Sequence, residues 1–238
     1  MTIEYLSWDS DFFNKKIGKI LYDIQNENIL KELLAKAKTE NYDLLYIFAP
    51  ENLFIENDIL KTFSGKLIDR KVLYSQHIDS KKKEEETQEI ISTYSETDLT
   101  KELEELAYLS GQYSRFLLDK NFDSNDFYKL YKTWITKSLT KEMADKVFVI
   151  KEKEKIVGMA TLKYEENFGD IGLIAVSETV QEKGYGKKLI NACISDLSNN
   201  GIYQIEVPTQ LDNLSACRFY EKCGFEIKTI TNIYHFWL

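Results

Sequence analysis

The stretch that determines the fold is Ile171-Gly-Leu-Ile-Ala-Val-Ser-Glu-Thr-Val-Gln-Glu-Lys-Gly-Tyr-Gly-Lys-Lys-Leu-Ile190. It predicts a short buried strand, a loop with the spacing Gln181-x-x-Gly184-x-Gly186, and an amphipathic helix. The first N–H groups of a helix have no partner within the helix, and they carry the positive end of its dipole. Glycines allow that backbone to approach a phosphate closely. The stretch therefore indicates a pyrophosphate site and a nucleotide-like cofactor.

The glycine spacing by itself leaves two interpretations open. Turns that lead from a strand into a helix also use glycine for structural reasons. The loop lacks the Gly-x4-Gly-Lys-Ser/Thr spacing of a Walker A sequence and the three glycines of the dinucleotide fingerprint. On the loop alone, a structural turn and a phosphate site are both open.

Composition and charge limit the class of protein. The chain has 238 residues, enough for one large domain or two small ones. Its 43% hydrophobic and 13% aromatic content predicts packed cores. A net charge of −8 argues against binding to nucleic acid or to an acidic membrane surface.

The cysteines and the N-terminus indicate the compartment. Cys193, Cys217 and Cys223 form no CxxC pattern, and we expect free thiols and no metal site. Free cysteines favour a reducing compartment. The sequence Met1-Thr-Ile-Glu-Tyr lacks the features of a signal peptide, and no apolar run has membrane-spanning length. We therefore expect a soluble cytoplasmic protein.

A polar, charged run at residues 76–89 predicts a linker or surface loop. It divides the chain into a small N-terminal α/β domain with its linker (1–92) and a second domain (93–238). Helical periodicity is present at 29–37, 99–109, 127–139, 185–198 and 214–223. Strand patterns lie at 44–48, 66–74, 146–150, 156–164, 171–176, 203–207 and 227–237. The fold class is α/β (α+β), with a mixed sheet flanked by helices.

A second motif follows the next strand. Asn213 stands at a good N-cap position, and Tyr220 lies seven residues later on the same helix face. Gly224 stands where a left-handed C-cap is expected, with Phe225 placed to pack back on the helix. The Tyr220 hydroxyl and the Asn213 side-chain amide would thus lie beside the ligand that the first loop binds.

Together the two motifs resemble a known superfamily. Gln181-x-x-Gly184-x-Gly186 and Asn213-x-x-Ala216-x-x-x-Tyr220-x-x-x-Gly224-Phe225 are similar to the acyl-CoA motifs of the GNAT N-acetyltransferases. The resemblance covers about residues 99–238, and it implies the GNAT fold and acetyl-CoA (coenzyme A) as cofactor. Shorter sequence segments, at residues 8–13, 114–119 and 127–135, resemble acetyltransferases of the WecD type, which act on dTDP-fucosamine.

The GNAT resemblance implies roles on the donor side. The edge formed by Ile174, Ala175 and Val176 would pair with the pantetheine amides, and the N–H of Ala175 or Val176 would meet the thioester oxygen. The residues that would cradle the pyrophosphate are Gln181, Glu182, Lys183, Gly184, Tyr185, Gly186 and Lys187. Asn213 and Ala216 would contact the cofactor, although plain helix capping also explains Asn213.

Tyr220 is the predicted general acid, whose hydroxyl would protonate the departing thiolate. The alternative is a core tyrosine with a satisfied hydroxyl. No general base is assigned. His77 lies in the predicted linker, and His235 lies in a terminal strand where a structural role is favoured. Glu206 is a further candidate, although a strand glutamate is more often a surface residue.

On the acceptor side, Tyr113 and Arg115 are the predicted substrate-binding residues. Arginine's planar fork suits a diphosphate, while a structural ion pair also explains Arg115. The resulting hypothesis is N-acetylation of a nucleotide-linked amino-deoxy sugar, a dTDP-4-amino-4,6-dideoxyhexose, by direct attack. The alternatives are a protein N-terminus, a polyamine or another small amine as acceptor, or an acyl-CoA-binding module without catalysis. Exposed strand edges leave a homodimer open.

Overall fold

The computed structural model describes residues 1–79, 90–180 and 183–238. The strands are β1 (Glu4–Tyr5), β2 (Ile17–Leu21), β3 (Leu44–Pro50), β4 (Gly65–His77), β5 (Ile91–Thr93), β6 (Lys146–Glu152), β7 (Lys155–Tyr164), β8 (Gly169–Val176), β9 (Gln204–Gln210) and β10 (Glu226–Trp237). The helices are α1 (Ser7–Phe13), α2 (Glu27–Thr39), α3 (Asn57–Thr62), α4 (Lys101–Ser110), α5 (Arg115–Leu118), α6 (Ser124–Leu139), α7 (Tyr185–Asn199) and α8 (Leu214–Lys222).

The chain forms two compact units. Unit 1 comprises Met1–Val72, Gln210–Leu214 and Lys228–Leu238, and unit 2 comprises Leu73–Thr209 and Ser215–Ile227. In unit 1, β1 pairs antiparallel with β2, β2 pairs parallel with β3, and β10 pairs antiparallel with β3. The core of this unit is made of apolar side chains from the strands and from α2, including Ile20, Leu30, Leu34, Ala37, Leu45, Ile47, Tyr234 and Phe236.

The C-terminal strand links the end of the chain to unit 1. Trp237 lies opposite Leu44 and Thr231 lies opposite Pro50, so β10 completes the pairing of β3. Residues 228–238 consequently belong to the same unit as the N-terminal residues. Strand pairing thus joins segments that are far apart in sequence, and the division into domains 1–92 and 93–238 stays a prediction.

Unit 2 contains a mixed sheet with helices packed on it, as the sequence predicts. Its strands lie in the order β4-β9-β8-β7-β6-β5. The β8–β9 pair is parallel, whereas β7–β8, β6–β7 and β5–β6 are antiparallel. Helices α4 and α7 both pack against β7 and β8. The predicted apolar stripe of α7 is buried, and it consists of Leu189, Ile190, Cys193, Ile194 and Leu197.

The predicted helices and strands are all present, with ends shifted by a few residues. Helix α6 begins a turn before its predicted start, because Asp123 and Asp126 form a capping box at Ser124. The elements that the sequence pattern missed are short: α1, α3, α5, β1, β2 and β5. Gly224 has a φ of +94°, as predicted, and the Phe225 N–H donates to the Tyr220 carbonyl.

The predicted linker at 76–89 is only partly covered by the described residues, since 80–89 lie outside them. Gln76 and His77 are not linker residues, because they are the last two residues of β4. Ile78 is buried, and its N–H donates to the Tyr203 carbonyl. The sequence did not predict a strand at residues 76 and 77, because the exposed residues of this segment are polar.

Gly169 tests the packing of α7 on β8. A Cβ built on Gly169 would lie 2.4 Å from Leu197 Cδ1, whereas one built on Gly158 would lie 3.4 Å from Leu189 Cδ1, an ordinary contact. We expect Gly169→Ala to lower the free energy of unfolding by about 1–3 kcal/mol through overpacking. Gly158→Ala, the matched control, should change it by much less. Urea denaturation of both variants measures the difference, and equal effects would contradict the packing argument.

Candidate active site

Strands β8 and β9 are paired over a short stretch at the start of β8. The described ladder consists of two pairs, Gly169 with Ile205 and Asp170 with Glu206. Within the described residues, no ladder pair joins the two strands beyond this point, although β8 continues to Val176. The predicted donor edge, Ile174–Val176, therefore lies on the part of β8 that is not in register with β9. An extended ligand can add to such an edge through main-chain hydrogen bonds.

The ladder with β7 determines which N–H groups face this edge. The Ser177 N–H donates to the Val157 carbonyl at 2.8 Å. Because N–H groups alternate in direction along a strand, Ala175 directs its N–H toward β7, while Val176 and Ile174 direct theirs away from it. Of the two amides that the sequence offered for the thioester oxygen, this alternation favours Val176.

A β-bulge interrupts β8 just before this edge. The register with β7 shifts between Ala160 and Leu162, so that Gly172 and Leu173 together lie opposite Thr161. The Leu173 N–H donates to the buried Thr161 hydroxyl at 2.8 Å instead of to a backbone carbonyl. Bulges bend a strand and increase its twist. The bulge thus separates the segment of β8 that pairs with β9 from the segment that does not.

The two glycines of the loop have different structural reasons. Gly184 is the N-cap residue of α7 and has a φ of +74°, a conformation that side chains disfavour, while a Cβ there would meet nothing within 4 Å. A Cβ on Gly186 would lie 2.9 Å from the Phe219 ring of α8. Gly184 therefore allows the backbone turn, and Gly186 allows α7 and α8 to approach each other. The predicted residues Gln181 and Glu182 lie outside the described residues.

Side chains around Gly184 carry the charge of the loop. Lys183 Nζ lies 2.7 Å from Glu152 Oε1, and the Tyr185 hydroxyl donates to the same oxygen. Lys187 is exposed. The hydrogen bonds from Lys183 and then from Tyr185 lower the pKa of Glu152, so its carboxyl group is ionised at neutral pH. Glu152 is a residue that the motif search missed, because it lies at the end of β6, far from the loop in sequence.

Tyr220 lies on the buried face of α8. Its side chain is 4% exposed and its ring packs against those of Tyr74, Phe219 and Phe225. Among the described residues its hydroxyl has no hydrogen-bond partner. Burial raises the pKa of Tyr220 well above its usual value, with smaller contributions from Cys223 and Cys217, so the phenol stays protonated. A core tyrosine would have its hydroxyl satisfied, whereas this one is free to bind a ligand.

A second tyrosine, Tyr74 of β4, packs against the Tyr220 ring. The Tyr74 ring is fully buried, 5.7 Å from that of Tyr220, and its hydroxyl donates to Glu221 Oε1 at 3.0 Å. Burial, together with the hydrogen bonds to Cys217 and Glu221, raises the pKa of Tyr74. This second tyrosine was not predicted, and its hydroxyl is the satisfied one of the pair.

The other predicted donor residues are placed near the start of α8. Asn213 immediately precedes the helix, and Ala216 lies within it; both are half-buried. The Asn213 N–H donates to the Gln210 carbonyl at 2.9 Å.

The predicted acceptor residues lie around the short helix α5. Tyr113 is 40% exposed, and Arg115 is half-buried with its guanidinium 4.7 Å from the Phe116 ring centroid. Ser114 caps α5, since its hydroxyl accepts the Phe116 N–H. Phe116 is 8% exposed and packs on Phe122 and Trp134, so it is a core residue.

Glu206 differs from its expected surface position, because it is only 3% exposed. Gln204 Nε2 donates to its Oε1 at 2.7 Å. Glu206 is in register with Asp170, at the last pair of the β8–β9 ladder. Gly169 faces Leu197 of α7, and successive strand residues point to opposite faces, so Asp170 and Glu206 lie on the face opposite α7. Two carboxylates thus stand together where the strands part.

The two histidines are not part of this arrangement of residues. His235 is fully buried, with its ring 4.9 Å from that of Tyr46, in keeping with the structural role that the sequence favours. His77 is exposed at the end of β4. The three cysteines are thiols rather than disulfides, and Cys193 and Cys217 are buried. In residues 1–79, 90–180 and 183–238, no group of three or more acidic, histidine or cysteine side chains could hold a metal ion.

None of the helices described above combines the length and the apolar character needed to cross a membrane.

A family model supports the arrangement of strand, glycine loop and tyrosine helix. Residues 112–225 match the model described as the acetyltransferase (GNAT) family. This segment contains β8, the glycine loop, α7 and Tyr220. This segment is therefore similar to the GNAT acetyltransferase family, in agreement with the resemblance of the two motifs.

Curated relatives match over part of the chain. An uncharacterised N-acetyltransferase of Bacillus subtilis, YvbK, is 36% identical over 69 residues, which are 29% of this chain and 44% of the relative. N-alpha-acetyltransferase 30 of Schizosaccharomyces pombe is 24% identical over 105 residues, 42% of this chain and 70% of the relative. The chain thus spans less than half the length of the first of these relatives.

Solved structures share the fold over nearly the whole chain. A conserved protein of unknown function from Staphylococcus epidermidis has a TM-score of 0.66 at 12% identity and covers 98% of this chain and 90% of its own. A GCN5-related N-acetyltransferase from Sphaerobacter thermophilus has a TM-score of 0.59 at 11% identity and covers 98% and 75%. These likenesses confirm the predicted GNAT fold.

Removal of the Tyr220 hydroxyl and removal of the Tyr74 hydroxyl should have different effects on the free energy of unfolding. Tyr220→Phe deletes a hydroxyl that bonds to no described residue, and we expect the free energy of unfolding to change by less than about 0.5 kcal/mol. Tyr74→Phe deletes the donor to Glu221, and we expect a loss of about 1 kcal/mol. Chemical denaturation without ligand checks both values. A larger loss for Tyr220→Phe would show that its hydroxyl has a structural role.

Proposed function

We propose that this protein transfers an acetyl group from acetyl-CoA to a primary amine by direct attack. The observation that carries the proposal is Tyr220, a buried tyrosine whose pKa is raised by burial without a hydrogen-bond contribution, on the helix next to the glycine loop. Phe219, the neighbour of Tyr220, is the ring that lies against Gly186. The helix that carries the tyrosine therefore lies directly against the helix that begins at the glycine loop.

On the donor side, the roles follow from the backbone. The edge of β8 at Ile174–Val176 would bind the pantetheine amides as an added strand does. The first N–H groups of α7, beginning at Gly184, would hold the pyrophosphate, and Lys183 and Lys187 would add positive charge. The Val176 N–H would face the thioester oxygen, where negative charge develops in the transition state.

The reaction needs one bond made and one broken. The amine nitrogen attacks the thioester carbonyl carbon, and the C–S bond breaks as the tetrahedral intermediate collapses. Tyr220 would donate its hydroxyl hydrogen to the departing sulfur, so that coenzyme A leaves as a thiol. Because burial raises the pKa of Tyr220, the phenol is protonated when the reaction begins.

Glu206 would accept the proton that the amine loses. It is buried, it is on the face opposite α7, and it stands at the point where β8 and β9 part. Its neighbour Asp170 lies on the same face, so that one carboxylate could orient the amine while the other accepts its proton. Neither residue belongs to the two motifs; Glu206 is a candidate from the sequence, and Asp170 follows from the strand register.

For the acceptor, we propose a nucleotide-linked amino-deoxy sugar, a dTDP-4-amino-4,6-dideoxyhexose. The support is the resemblance of residues 8–13, 114–119 and 127–135 to acetyltransferases of the WecD type. Arg115 is half-buried beside Phe116, and its guanidinium would bind the sugar diphosphate while Tyr113 stacks on the base or sugar.

A protein N-terminus or another cationic amine is the second candidate acceptor. Its support is the similarity to N-alpha-acetyltransferase 30 and the carboxylate pair Asp170 and Glu206, which would attract a cation. The net charge of −8 favours a cationic acceptor over an anionic one in the same way.

Tyr220→Phe tests the donor chemistry. We expect kcat to fall by about 10²-fold or more, because the departing thiolate loses its proton donor. The dissociation constant for coenzyme A should change by less than threefold. Stopped assays of free thiol and calorimetry measure the two quantities. Unchanged turnover would remove Tyr220 from the mechanism, and binding without turnover in the unaltered protein would favour an acyl-CoA-binding module.

An acceptor panel separates the two substrate classes. The protein would be incubated with acetyl-CoA and with dTDP- and UDP-amino sugars, polyamines and peptides with free N-termini, and free thiol would be followed. We expect turnover on a nucleotide amino sugar and a rise in its KM for Arg115→Lys, because lysine lacks the planar fork. Turnover on peptides or polyamines alone would replace the sugar by a cationic amine.

A further inference from the structure

Glu152 lies at the tip of the β6–β7 hairpin, outside both sequence motifs. It pairs with Lys155, and the two residues between them, Lys153 and Glu154, have φ values of +46° and +68°. Positive φ at both central residues is typical of a type I′ turn, whose twist matches that of the flanking strands. The hairpin therefore places Glu152 by backbone pairing rather than by a loose loop.

The Glu152 carboxylate binds the residues on either side of Gly184. Lys183 Nζ lies 2.7 Å from its Oε1, and the Tyr185 hydroxyl donates to the same oxygen. Both contacts lower the pKa of Glu152, Lys183 first, while the Glu152 contact raises the pKa of Lys183. An ionised carboxylate is thus held at the N-terminus of α7, by the same lysine that a phosphate there would use.

We propose that Glu152 is a tethered anion that competes with the phosphates of the acyl donor for Lys183, and so weakens donor binding. This inference rests on the proposed function, since it assumes that the donor pyrophosphate binds at Gly184. Two anions cannot both have the full benefit of one ammonium group. Binding therefore requires the Lys183–Glu152 pair to open.

The consequence for turnover is faster release of coenzyme A. After acetyl transfer the product keeps the same phosphates, and it must leave before the next donor binds. The Glu152 carboxylate remains attached to the hairpin next to Lys183, at a high effective concentration. It recaptures the lysine whenever the phosphates dissociate, so the contact limits product affinity as well as donor affinity.

The test compares two single charge changes in the same hairpin. Calorimetry with the 238-residue chain gives the dissociation constants of coenzyme A and acetyl-CoA for the unaltered protein, for Glu152→Gln and for Glu154→Gln. Glu154 carries the same charge two residues away, and it is the matched control. We expect Glu152→Gln to tighten both ligands by three- to tenfold and Glu154→Gln to change them by less than twofold.

A Lys183→Gln variant tests whether the effect of Glu152 on ligand binding depends on the lysine. In a Lys183→Gln background, Glu152→Gln should tighten coenzyme A by less than twofold, because no ion pair is left to open. S-acetylpantetheine, which lacks the phosphates, should bind the unaltered protein and Glu152→Gln with equal affinity. A tightening that also appears with S-acetylpantetheine would overturn the competition for Lys183.

Two further results would overturn the inference. Equal tightening by both glutamine variants would mean a general effect of charge, and weaker binding by Glu152→Gln would mean that Glu152 supports the loop by orienting Lys183 and Tyr185. If the unaltered protein binds neither coenzyme A nor acetyl-CoA, the proposed function fails. If it binds them and Glu152→Gln does not differ from Glu154→Gln, only the role of Glu152 fails.

Discussion

Strands β8 and β9 share two ladder pairs, and no described pair joins them after Asp170 and Glu206. A parallel strand that stops pairing leaves main-chain donors and acceptors available at its edge, and these groups must find other partners. The bulge at Gly172 and Leu173, opposite Thr161, lies at the start of this unpaired part of β8. The donor edge, the candidate oxyanion N–H and the two carboxylates are all consequences of where this pairing ends.

The helices on either side of the loop depend on close approach rather than on charge. Gly186 allows α7 to lie against Phe219, and the next residue, Tyr220, is buried among aromatic rings. Tyr74 packs against the Tyr220 ring and donates its own hydroxyl to Glu221. Burial among these rings raises the pKa of Tyr220 and keeps its phenol protonated. The packing of α8 and the chemistry proposed for Tyr220 are therefore two aspects of the same arrangement.

Local patterns predicted much of this protein. The strand, the loop with Gly184 and Gly186, the stripe of α7 and the left-handed Gly224 depend on residues that are neighbours in sequence, and all are present. Glu152, Tyr74 and the buried position of Glu206 could not be predicted in this way, because each depends on a strand that comes from elsewhere in the chain. The short elements β1, β2, α3 and α5 were missed because few residues carry their periodicity.

The sequence by itself indicated the class of fold, the cofactor proposed here and the position of Tyr220 relative to the glycine loop, since two motifs at set spacings encode them. Only the tertiary structure decided which amides of β8 face outward, that Glu206 is buried beside Asp170, and that Glu152 binds Lys183. It also decided that residues 228–238 join the N-terminal unit through β3. The physical reason is that strand register and ion pairing between distant segments arise only when the chain folds, and spacing along the sequence does not record them.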